Sequence, residues 1–91
     1  MKKFEFKSEV IVLELDCAFE SADEIPGFLE KLTAIESVKI VKVIEVGGAG
    51  GNPEIFVEVN VEDLEKVAVV YGGDSDGLDE YFEWAFEAGR Y

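Results

Sequence analysis

Between Val38 and Val61 the chain reads VKIVKVIEV, GGAGGNP and EIFVEVNV. Two runs rich in β-branched residues, joined by glycines, Asn52 and Pro53, predict a β-hairpin with a long tip. In the second run Ile55, Val57, Val59 and Val61 alternate with Glu54, Glu58 and Asn60, which predicts one buried and one wet face. The first run is apolar in both phases, with Val38, Ile40, Ile44 and Val46 in one and Val41 and Val43 in the other. Such a strand is either covered on both sides or lends its second face to a partner.

Upstream, Lys3 to Phe19 predicts extended chain, with Phe4 and Phe6 facing one way and Ile11, Leu13, Leu15, Cys17 and Phe19 the other. The phase changes near Ser8 to Val10, so a bulge lies there or the segment is two short strands. Val10 to Leu13 is apolar in both phases, the pattern of a central strand. Ser21-Ala22-Asp23-Glu24 reads as a capping box for a helix that runs to about Ile35. Ile25, Phe28, Leu29, Leu32 and Ile35 form its inner stripe, Glu24, Glu30 and Lys31 face outward, and Pro26 and Gly27 sit in its first turn.

Asn60 to Tyr71 fits a helix capped by Asn60 and stopped at Gly72, but Val67 to Tyr71 also fits a short buried strand. The caps favour the helix. A loop, Gly72 to Gly77, leads to the clearest helix, about Leu78 to Ala88. There Leu78, Tyr81, Phe82, Ala85 and Phe86 face inward, Asp79, Glu80, Glu83 and Glu87 gather opposite, and Trp84 lies at the border. Together these elements predict a single α+β domain over residues 1–91, a small two-layer sandwich. Its largely antiparallel sheet of three or four strands has a β-α-β-β start, a split βαβ of ferredoxin-like kind, and C-terminal helices cover it.

Charge changes the picture. The 91 residues carry 21 acids, eight bases and no histidine, for a net charge of −13. From Val43 to Gly89 twelve acids stand against Lys66 alone, whereas Lys2, Lys3 and Lys7 cluster at the N-terminus. A field of that sign repels nucleic acid and anionic membranes and attracts basic protein surfaces. The lone Cys17 excludes an internal disulfide, and on an apolar strand face it reads as a buried thiol. No apolar run suggests a signal peptide or a membrane span, so a cytoplasmic location is expected.

Catalysis finds little support. Without histidine no Ser-His-Asp or Cys-His arrangement can form, and no pair among the acids is singled out by its context. We therefore expect a non-enzyme without cofactor. Gly47 to Gly51 follows a strand, but it lacks the Lys-Ser/Thr end of a phosphate loop and is followed by another strand. Asp74-Ser75-Asp76-Gly77-Leu78-Asp79-Glu80 has the composition of a calcium loop, yet its glycine comes fourth where an EF-hand needs it sixth. Asp76 or Ser75 as helix N-cap explains the same letters, and no metal is expected.

What remains is the acidic field. Glu54, Glu58, Asp74, Asp76, Asp79, Glu80, Glu83 and Glu87 are the candidate contacts, with Trp84 and Tyr91 as aromatic anchors. A dense carboxylate face imitates nucleic acid, and its partner is then the basic groove of a DNA- or RNA-binding enzyme. By class analogy, small acidic histidine-free proteins of this kind include phage- and plasmid-encoded antagonists of restriction and CRISPR nucleases. The alternative is a structural or adaptor module that homodimerises through Val10, Val12, Val41, Val43 and Phe56.

Overall fold

The computed structural model describes residues 3–17, 19, 22–44 and 52–91. Strands β1 (Val10–Asp16), β2 (Lys39–Ile44) and β3 (Glu54–Asn60) form an open sheet in the order β1-β3-β2, both pairings antiparallel. Helix α1 (Ile25–Thr33) joins β1 to β2, and β3 returns between them. This is the expected split βαβ, with α2 (Leu64–Gly72) and α3 (Asp79–Glu87) following in place of a final strand.

Central β3 keeps the alternation read from its sequence. Ile55, Val57 and Val59 are fully buried and lie opposite Leu15, Leu13 and Ile11 of β1. Leu32 of α1, Leu64 and Val67 of α2, and Leu78 and Phe82 at α3 close the core over this inner face.

The two edge strands differ from expectation. β1 is not central: Val10 and Val12 lie on the outer face of the sheet, 44% and 46% exposed. Among the described residues the helices bury only the inner face, so being apolar in both phases does not mean being covered on both sides. In β2 the register slips between Ile40 and Lys42, which leaves Val41 as a bulge. Ile40 lies opposite Val57 and Val43 opposite Ile55, so both pack on the core, while Lys42 and Ile44 face outward opposite Phe56 and Glu54. The bulge thus reverses the phase expected for Val43 and Ile44.

The phase change near Ser8 is neither a bulge nor a break between two strands. Residues 7–9 form a bend, and Phe4 and Phe6 lie before the sheet and pack on Phe82 and Phe86 of α3 at 5.2–5.3 Å between ring centres, Phe4 stacked on Phe86 and the other pairs tilted or edge-on.

Helix ends are less regular than the caps suggested. A 3-10 turn, Ala22–Glu24, precedes α1, which stops at Thr33; Ile35 and Val38 are buried just beyond it. The Ser21 end of the capping box and the glycine tip, 47–51, lie outside the described residues. The segment after β3 is helical, as its caps favoured, but Asn60 is extended and makes no side-chain cap. A second 3-10 turn, Val61–Asp63, leads into α2, whose C-cap is Gly73 where Gly72 was expected. The N-cap of α3 is Leu78, not Asp76 or Ser75; the Asp76 N–H instead bonds Asp74 Oδ1 at 2.9 Å and shapes the turn before the helix. That turn folds hard against α2. A Cβ on Gly77 would lie 2.5 Å from the Ala68 carbonyl oxygen, so only glycine fits there.

The outer edge of β1, where a final strand would pair in a ferredoxin-like fold, is closed by tyrosines. Tyr71 donates to the Asp16 carbonyl at 2.7 Å, Tyr91 donates to the Val12 carbonyl, and Tyr81 accepts from the Glu14 N–H at 3.2 Å. Residues 12, 14 and 16 are the alternate positions whose backbone groups point away from β3. Three hydroxyls therefore bond three of the six outward backbone groups of these residues, which blunts the edge against a foreign strand. Gly89, at φ +76°, turns the chain after α3: the Arg90 N–H bonds the Ala85 carbonyl and the Gly89 N–H that of Phe86, which swings Tyr91 back to β1.

Candidate partner-binding surface

Helical spacing decides which acids stand together. In α3, Phe82 and Ala85 are buried, so Glu80, Glu83, Trp84 and Glu87, at i, i+3, i+4 and i+7, share the opposite, exposed stripe. Asp79 sits half-exposed in the first turn, and Asp74 and Asp76 are exposed in the preceding loop. Seven of the ten candidates therefore belong to one helix and its approach.

The other three lie elsewhere. Glu54 and Glu58 project from the outer face of β3, where Glu58 is flanked by Val12 and Lys39, and Glu54 by Asp16 and Ile44. Tyr91 is half-buried among Phe6, Phe82 and Phe86, at 5.8–5.9 Å between ring centres, and its hydroxyl is bonded to β1. Burial and its bond to Tyr81 hold the Tyr91 phenol far above its ordinary range.

Trp84 is 52% exposed, unusual for so large an apolar ring. The Arg90 guanidinium lies 4.7 Å from its ring centre and reaches Glu14 Oε1 at 2.7 Å. This Trp84-Arg90-Glu14 chain ties the α3 stripe to the rim of the sheet, and the contact with Glu14 raises the guanidinium pKa further. The chain was not read from the sequence, although the sole arginine, placed six residues after an unburied tryptophan, is the signal that could have suggested it.

The electrostatics are one-sided. Residues 61–91 contain nine acids and two bases, and both bases are engaged: Lys66 with Asp63 at 3.4 Å and Arg90 with Glu14. Ser37 donates to Asp63 Oδ2 at 2.6 Å, and that bond, then Lys66, holds the Asp63 carboxyl below its ordinary range. Asp79 and Glu80 complement the positive N-terminal end of α3. Glu87 does the reverse, since it sits in a last turn that holds no base. Like charges recur at i, i+4 in Asp79/Glu83 and Glu83/Glu87, at about 0.2–0.5 kcal/mol of repulsion each.

Among the described residues no other region assembles comparable chemistry. Among the described residues no group of three or more carboxylates and cysteines is placed to hold a metal ion. Cys17 is buried beside a shallow cleft lined by Asp16, Phe19, Phe28 and Tyr71. Burial and then Asp16 push its thiol up to about 11, so it is protonated at neutral pH. Among the described residues no helix is long and apolar enough to cross a membrane. Comparison with known proteins finds no family model, no curated relative and no solved structure that matches the chain.

Proposed function

We propose that this chain is a small acidic protein-binding module that inhibits a DNA- or RNA-binding enzyme by occupying its basic groove as a nucleic-acid mimic. The observation that carries the reading is the exposed stripe Glu80-Glu83-Trp84-Glu87. Its three carboxylates span seven residues, about 10 Å of helix axis. A single nucleic-acid strand presents one charge per about 3.4 Å of axis, hence about four over the same length, so the stripe approaches that density without reaching it. Trp84, set among them and half exposed beside the Arg90 that lies over its ring, offers an aromatic surface where a strand offers a base, and Asp74, Asp76 and Asp79 extend the anionic track at one end. A net charge of −13 steers such a surface toward a basic groove and makes the association fall with salt.

The test is competition. Restriction and CRISPR nucleases are assayed for binding to the immobilised chain at low salt, with duplex DNA and single-stranded RNA as competitors. The reading requires a nuclease whose binding is displaced by nucleic acid, lost at high salt and abolished in Glu80→Gln/Glu83→Gln/Glu87→Gln. Binding that persists unchanged in that triple variant, or that ignores the competitors, removes the mimic.

A further inference from the structure

We infer that Trp84 is the docking ring for an arginine side chain of the partner, which stacks on the ring face opposite Arg90 and lies between Glu80 and Glu87. This deepens the function proposed above and rests on its basic partner; what it adds is which cation is recognised, and where. The ring, rather than the acids around it, carries the inference. Trp84 is 52% exposed although the Arg90 guanidinium already lies over its ring, 4.7 Å from the centre. The molecule thus contains, within its own chain, the contact it would offer to another: a guanidinium seated on this indole.

Helical geometry says which face remains. Tyr81, three residues before Trp84, lies on the β1 side of α3; its hydroxyl accepts from the Glu14 N–H and its ring centre is 6.3 Å from that of Trp84. Arg90 is fastened to Glu14 of the same strand at 2.7 Å, so it comes to the indole from that side too. At about 100° per residue, Glu80 and Glu87 follow Trp84 around the helix by roughly 40° and 60°, on the side away from Tyr81. One stands a turn before Trp84 and the other a turn after, and both are exposed. The second face of the ring therefore looks toward two carboxylates that bracket it.

The chemistry of that face selects arginine over lysine. A guanidinium is planar and weakly hydrated, so it can lie on the indole while the donors along its edge reach a carboxylate. The lysine ammonium is compact and strongly hydrated, and gains less from the ring. A net charge of −13 attracts both cations alike, so stacking decides between them. At an exposed site that contact corresponds to about a two- to fivefold preference.

Trp84 is the sole tryptophan, so its fluorescence reads the site directly. Hexa-arginine and hexalysine peptides are titrated into the full chain at one salt concentration, followed by that emission and by calorimetry. Hexa-arginine should bind about two- to fivefold more tightly and should change the Trp84 emission to saturation. In calorimetry Trp84→Leu, which keeps every charge, should bind the two peptides equally. Glu80→Gln/Glu87→Gln should lose more affinity for hexa-arginine than Glu54→Gln/Glu58→Gln, which removes the same charge from the outer face of the sheet. Circular dichroism confirms that each variant is folded. Equal binding of the two peptides by the wild type overturns the inference, and so does a preference that survives in Trp84→Leu or an equal loss in the two double variants. The peptides involve no nuclease, which separates this inference from the one it rests on. Capture of a nuclease without any preference for hexa-arginine removes the ring site and leaves the mimic, whereas the preference without capture supports the ring site and removes the mimic.

Discussion

Tyr81→Phe tests how the open edge of the sheet is held. Tyr91 has one hydroxyl proton and gives it to the Val12 carbonyl, so across the 2.7 Å contact between the two phenols Tyr81 is the donor. Tyr81 meanwhile accepts from the Glu14 N–H. Removing one oxygen therefore strips the partner from a backbone donor on an edge strand and from a half-buried phenol. Each hydrogen bond contributes about 0.5–1.5 kcal/mol net, and since water reaches part of this edge we expect a loss of about 1–2 kcal/mol. For a domain of this size that lowers Tm by roughly 5–12 °C. Tyr71→Phe removes a single bond to the Asp16 carbonyl in an exposed setting, where water can replace it, and should cost about 0.5 kcal/mol. Because Tyr81 and Tyr91 share a bond, Tyr81→Phe/Tyr91→Phe should cost less than the sum of the single variants by about 1 kcal/mol. Urea unfolding followed by far-ultraviolet circular dichroism reads all four free energies, with an unchanged m-value as the control. The reasoning fails if Tyr81→Phe is no worse than Tyr71→Phe, or if the double variant is strictly additive.

Four further outcomes follow from the same structure. Gly77→Ala drives a Cβ into the backbone of Ala68 and Gly72, neither of which can yield as a side chain could, and should cost about 2 kcal/mol or more; Gly27→Ala, with nothing within 4 Å, should stabilise by about 0.5–1 kcal/mol. Cys17, Tyr71 and Tyr91 all hold their protons more tightly when folded, chiefly through burial. Their contribution is intact below the unfolded thiol value of 9.0 and lost as pH rises, for Cys17 through about 11, so Tm should fall steadily across that interval and fall less in Tyr91→Phe. Glu87→Gln removes a carboxylate from the negative end of α3 and should raise stability by about 0.3–1 kcal/mol, read by urea unfolding, while weakening capture of a basic partner.

How much of this was legible depends on whether one neighbour or two decides a residue's environment. The inner face of β3 and the stripe of α3 follow from local period alone, because each element buries a single face and any other phase would expose the core. β2 could not be read that way. Its bulge at Val41 is set by pairing with β3, and it exchanged the faces of Val43 and Ile44. Val10 and Val12 misled for a different reason: an apolar residue states what it tolerates, not what covers it. Tyr91 sits in the sequence as an aromatic beside acids, yet the turn at Gly89 carries it inward, and only the unpaired groups of β1 explain its hydroxyl. Glu54 and Glu58 share their sign with the α3 acids but not their side of the molecule, because strand order places them on a face that no helical period reveals.

The linear imbalance of charge becomes a spatial one through that strand order. The bases Lys31, Lys39 and Lys42 belong to α1 and β2, at one edge of the sheet. At the opposite edge Tyr81, Tyr91 and Arg90 fasten α3 and its acids to β1. The order β1-β3-β2 keeps Lys39 and Lys42 a sheet's width from the acids of α3, while Lys3 and Lys7 flank the segment whose Phe4 and Phe6 pack on that helix. Pairing with a basic groove should therefore weaken as ions screen the attraction. The acids proposed to carry it stand on α3, whereas Glu54 and Glu58 stand on the outer face of the sheet. In one salt titration Glu80→Gln/Glu83→Gln/Glu87→Gln should lose the salt-sensitive capture, and Glu54→Gln/Glu58→Gln should keep most of it. If both sets of substitutions weakened capture equally, the acidic stripe and the outer sheet face would be parts of one surface, and the separation argued here from strand order would be wrong.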